Sequence, residues 1–76
     1  MIKLGVIGTG NIGKRHIQSA LDISEVEIFA FDLNNQSLNS LELFLKNLNL
    51  ESTKKVTITR SYEAFLDLVS DETIVI

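Results

Sequence analysis

The chain has 76 residues, 45% of them apolar and 22% charged, with seven basic and ten acidic side chains that give a formal charge of −3. That length holds one domain at most, of a size that buries only about 60% of the surface its unfolded chain exposes, and the composition is too apolar for a disordered segment. The acidic balance argues against a partner such as nucleic acid, no apolar run approaches the ~20 residues that cross a bilayer, and without cysteine there is neither a disulfide framework nor a thiolate for metal or nucleophilic chemistry.

A cytoplasmic location is the expectation these features leave, since a cysteine-free chain suits a reducing compartment and "MIKLGVIG" is too short for the apolar core of a signal peptide. In chain order, residues 2–7 (IKLGVI) form a β-branched and apolar run ended by glycine, which predicts a buried strand. From Asn11 to Leu21 the period turns helical, with Gly13, Ile17, Ala20 and Leu21 on one stripe. A second strand is predicted at 26–31 (VEIFAF), with Val26, Ile28 and Ala30 on one face and Phe29 and Phe31 on the other. Both faces ask for cover, the pattern of a central parallel strand.

Over 34–48, Leu38, Leu41, Phe44, Leu45 and Leu48 fall at helical spacing, with Asn34, Asn35 or Ser37 available to cap the helix. Residues 55–60 (KVTITR) alternate Val56 and Ile58 with Thr57 and Thr59, which predicts an edge strand with one dry face and one wet face. Ser61 can cap a short helix that carries Tyr62, Phe65, Leu66 and Val69, with Glu63 at the end of the helix dipole that favours it. TIVI (73–76) starts a fourth strand. Strands alternating with helices in the order βαβαβαβ imply parallel pairing through right-handed crossovers, and hence a doubly wound α/β sheet with strand order 3-2-1-4. The same rule puts the first two helices on one face and the short third helix on the other.

All four glycines fall between positions 5 and 13, and Gly8, Gly10 and Gly13 spell G-x-G-x-x-G between the first strand and the first helix. In that setting the first glycine permits the tight turn, the second lets a pyrophosphate approach the backbone, and the third lets the helix pack against the strand. Free N–H groups at the helix start, together with the dipole, make Gly8, Thr9, Gly10 and Asn11 an anion site. Asp32 ends the second strand about 20 residues after Gly13, the spacing of an acidic side chain that hydrogen-bonds an adenosine ribose. Together these features predict dinucleotide binding by a partial Rossmann-like sheet. The bland readings are a plain tight turn, an Asp32 that caps the second helix or its loop, and a Lys14–Arg15 pair that is simply solvated instead of facing phosphate. Leu33 to Ser37 hold no Arg or Lys to receive a 2′-phosphate, and the Asp32 carboxylate would repel one, so NAD is expected over NADP.

"IGTGNIGKRH", followed by "AFD" and then "SYEAFLDLVSDETIVI", resembles the N-terminal domain of the Gfo/Idh/MocA oxidoreductases across the whole chain. That family shows G-x-G-x-x-G-x-x-H, an Asp after the second strand, and a Y-x-x-hydrophobic-hydrophobic helix leading into the fourth. His16, three residues after the last glycine, is the most specific element, and for it the resemblance implies motif membership only. The resemblance also implies that Ile12 lies near the nicotinamide or pyrophosphate, that Asp32 holds the ribose, and that the parent protein transfers a hydride to or from a sugar, polyol or related small molecule. The family's catalytic lysine, in a Glu-Lys-Pro-like segment beyond the fourth strand, and its substrate domain have no counterpart here. Residues 1–76 are therefore expected to be the N-terminal part of a longer enzyme. The expected cofactor-binding residues are Gly8, Thr9, Gly10, Asn11, Ile12 and Asp32, with no catalytic residue and no metal site. The alternative is a stand-alone nucleotide-binding or regulatory module without turnover; the reading frame after Ile76 separates the two. A bare fourth strand beside a thinly covered face predicts that the isolated chain self-associates.

Overall fold

The computed structural model describes residues 2–23, 25–48 and 55–76. Its elements are β1 (Ile2–Ile7), α1 (Asn11–Ala20), β2 (Val26–Phe31), α2 (Asn35–Leu48), β3 (Val56–Thr59), α3 (Tyr62–Leu68) and β4 (Thr73–Val75). The four strands form one parallel sheet in the order β3-β2-β1-β4. β1 and β2 pair along their whole length, from Ile2 opposite Val26 to Ile7 opposite Phe31. Backbone pairing of β4 with β1 runs one residue past the strand, because the Ile76 N–H donates to the Gly5 carbonyl (2.8 Å) and the Ile7 N–H donates to the Ile76 carbonyl (2.9 Å).

Local chemistry sets the helix boundaries. Of the three candidate caps for α2 it is Asn34 that acts, its Oδ1 accepting from the Gln36 N–H at 2.8 Å. The Ser61 hydroxyl accepts from the Ala64 N–H at 3.1 Å and starts α3, with Glu63 in its first turn. No side chain caps α1; its N-cap is Gly10.

The alternation of the strands divides the core into two layers. On one face Val6, Val26, Ile28 and Ala30 bury against Ile17 and Ala20 of α1 and Leu41 and Leu45 of α2. On the other, Phe29 and Phe31 bury against Phe65 of α3, with Val69 partly buried beside them. The Phe31 ring tilts against both Phe65 and Tyr62, with centroids 6.1 and 5.8 Å away. Gly5 admits the Phe65 ring to β1: a Cβ at position 5 would lie 2.9 Å from Phe65 Cζ.

One expectation about these faces needs correction. Thr59 does not lie on a wet face but is buried, and its hydroxyl donates to the Ala30 carbonyl at 2.9 Å, which satisfies that buried hydroxyl. Of the apolar side chains of α3, Phe65 is buried while Tyr62 and Leu66 are exposed. Around β4 the cover is thin, and Ile74, Val75 and Ile76 are all exposed. Among the described residues no helix is long and apolar enough to cross a membrane.

Candidate functional site

The site begins where β1 ends. Gly8 adopts φ = +96°, a conformation L side chains rarely take, and this turns the chain from strand to helix within three residues. The Gly8 N–H donates to the Phe31 carbonyl at 2.8 Å, which pins the turn to the carboxyl end of β2. At Gly13 the helix closes on the turn. A Cβ there would sit 2.0 Å from the Gly8 carbonyl oxygen, so only glycine lets α1 start this close to the backbone it follows. Gly10 lies between, with nothing within 4 Å of the place a Cβ would take. The three glycines thus meet three different demands: a positive φ, an open approach and a close packing contact.

Asp32, immediately after β2, joins this turn to the next. Its Oδ2 accepts from the Thr9 N–H at 2.7 Å and from the Thr9 hydroxyl at 3.3 Å, while Oδ1 accepts from the Asn34 N–H at 2.8 Å. The Thr9 and Asn34 N–H groups hold the carboxyl below its ordinary pKa, against the opposing effect of burial. The bond from the Asn34 N–H gives Asp32 the loop role that the sequence offered as the alternative to a ribose contact, and the bonds from Thr9 tie the same carboxylate to the glycine turn.

An open cleft of about 520 Å³ lies over the turn, lined by Gly8, Gly10, Asn11, Ile12, His16 and Ile76 among others. It stands at the carboxyl end of β1, where the strand order reverses between β2 and β4, the position at which open α/β sheets hold ligands. Its floor is the first turn of α1, which has neither a side-chain cap nor an acidic residue, so backbone N–H groups and the positive end of the dipole face the opening. Four of the six expected cofactor-binding residues, Gly8, Gly10, Asn11 and Ile12, line the cleft directly. Thr9 and Asp32 do not: Thr9 is wholly buried, and Asp32 reaches the turn through Thr9.

Ile76 was not foreseen as a lining residue. Its signal was topological, since the fourth strand of a 3-2-1-4 sheet ends beside the first. His16 sits on the cleft one helical turn after Ile12. Of the two cations behind the glycines, Lys14 donates to the Ser40 hydroxyl of α2 at 2.6 Å, and Arg15 is exposed. The Leu stripe of α2 is core, as its spacing predicts, with Leu38, Leu41 and Leu45 buried. No family model matches the chain, and no curated protein or solved structure matches it either.

Proposed function

We propose that this chain is the N-terminal, dinucleotide-binding part of a cytoplasmic NAD-dependent oxidoreductase similar to the Gfo/Idh/MocA enzymes, acting on a sugar, polyol or related small molecule. One observation carries the reading: a glycine turn with an open Gly10, leading into an uncapped helix and hydrogen-bonded to a strand-end carboxylate, at the point where a parallel sheet reverses its strand order. On this reading the sheet is the first part of a Rossmann-like fold.

The residues present suit such a cofactor. N–H groups at the start of α1 would take the pyrophosphate, and the bare Gly10 would let it come close. Asp32, held in its charged form by Thr9 and Asn34, would accept from an adenosine ribose hydroxyl. Ile12, exposed at the cleft, would pack against the ligand, and Ile76 would close the apolar side. When bound, the nicotinamide supplies hydride transfer. This chain's own residues bind and orient it, and the substrate and catalytic groups come from outside residues 1–76.

Calorimetric titration with NAD tests the reading. Asp32→Ala removes a charged acceptor and should weaken binding by about 1.5 to 3 kcal/mol. If the folded variant kept wild-type affinity, the ribose assignment would be wrong.

A further inference from the structure

We infer that Thr9 is the positioning residue of this site: it makes the turn that faces a pyrophosphate and the carboxylate that faces a ribose into one hydrogen-bonded unit, preset before any ligand arrives. The inference rests on the dinucleotide reading above. Thr9 is fully buried, so its side chain touches no ligand. It nevertheless gives Asp32 two bonds, from its N–H at 2.7 Å and its hydroxyl at 3.3 Å, both on Oδ2.

An aspartate carboxylate rotates in a broad torsional well, and one at the end of a strand would ordinarily sample many orientations. Here its two oxygens are held from two different turns, Oδ2 by Thr9 in the β1–α1 turn and Oδ1 by Asn34 in the β2–α2 turn. Opposed bonds on the two oxygens fix the plane of the group. A carboxylate has about four acceptor positions, so three bonds leave about one open, and it lies on Oδ1, the oxygen that receives a single bond. A ligand hydroxyl therefore meets an acceptor whose orientational freedom has already been given up, which is the condition for tight binding through few contacts. Threonine suits the task because the position is buried: its hydroxyl has Asp32 as acceptor and its methyl remains in the interior. Thr9→Val keeps the shape and the N–H but loses the hydroxyl and turns a methyl toward Oδ2. Thr9→Ser keeps the hydroxyl.

The test is a ¹³C carboxyl and amide titration of the 76-residue chain by NMR, paired with NAD calorimetry on the same variants. In the wild type the Asp32 carboxyl should titrate below the ordinary aspartate range, with the Thr9 and Asn34 amide protons following the same midpoint. Thr9→Val should raise that midpoint only slightly, since it keeps the Thr9 N–H bond that lowers it most, and should weaken NAD by about two- to tenfold, the cost of ordering one side chain on binding, and Thr9→Ser should restore both to the wild-type values. A folded Thr9→Val with midpoint and affinity unchanged overturns the inference, and so does a raised midpoint with unchanged affinity. If Thr9→Val fails to fold, Asp32→Asn decides: its Thr9 and Asn34 amide protons should both move upfield and exchange faster, and unmoved amides overturn the inference. A raised midpoint in Thr9→Val, alongside a wild type that takes up no NAD, supports the Thr9–Asp32 unit and refutes the dinucleotide reading instead.

Discussion

Replacing Gly13 by alanine adds one methyl group where the structure has no room for it. The new Cβ would lie 2.0 Å from the Gly8 carbonyl oxygen and 2.9 Å from its carbon, against the 3.5–4.0 Å of an ordinary carbon contact. Both clashing atoms are backbone in a turn fixed by the positive φ of Gly8 and by the Gly8 N–H bond to Phe31, so no side chain can rotate away. Relief requires α1 to lift off the sheet, which would uncover Ile17 and Ala20. Overpacking costs about 1–3 kcal/mol when side chains can yield, and a rigid backbone clash belongs at or above the top of that range, ~3 kcal/mol. A chain of this size has a total stability of roughly 4–11 kcal/mol, so the change removes a large part of it. In a thermal unfolding experiment a domain this small loses about 4–8 °C per kcal/mol, which puts the expected fall in Tm at ~12 °C or more. Gly10→Ala is the internal control: its Cβ enters open space at φ = −70°, and its Tm should stay within a few degrees of wild type. A Gly13→Ala protein that melts with the wild type would refute the close-packing account of the third glycine.

Because the folded protein lowers the Asp32 pKa, the unfolded chain binds more protons there, and stability from this group is present above the ordinary aspartate value of about 3.9 and lost as pH falls through the folded value. Denaturant titrations of wild type and Asp32→Asn should therefore differ at neutral pH and converge in acid; a gap that widens on acidification contradicts the assignment. NAD should bind more tightly than NADP, since Leu33 to Ser37 offer no cation to a 2′-phosphate and Asp32 repels one, and calorimetry showing the reverse order would refute this. The chain should self-associate at micromolar concentration through β4, an edge strand among the described residues, where Ile74, Val75 and the following Ile76 are exposed. Sedimentation should show dimers or larger species that Val75→Lys dissolves, and a wild type that stays monomeric on concentration would count against that surface.

The order of elements, the central place of β1 and β2 and the separate tasks of Gly8 and Gly13 were legible in the sequence because each depends on local periodicity or on a turn of a few residues. What depended on distant partners was not. Gly5 looks like one more flexible glycine, yet it accommodates a ring from Phe65, sixty positions along the chain. Thr59 reads as a wet face by alternation, but whether that face is covered depends on where α3 lies and on the Ala30 carbonyl being within reach. The spacing of Asp32 pointed to a ribose, while its bonds to Thr9 and Asn34 required the two turns to be set side by side, which only the β1–β2 register does. Lys14 likewise finds Ser40 because α1 and α2 cover the same face.

The central claim is that the turn from Gly8 to Ile12 receives a dinucleotide, and amide chemical shifts during an NAD titration of the wild type and of Gly10→Val test it most directly. A Cβ at position 10 enters open space, and the side chain of valine there would occupy the approach over the uncapped start of α1. The account predicts saturable shifts at Gly8, Gly10, Asn11, Ile12 and Asp32 in the wild type, and none in a folded Gly10→Val. A wild type without saturable shifts at millimolar NAD, or a Gly10→Val protein with undiminished affinity, would contradict it.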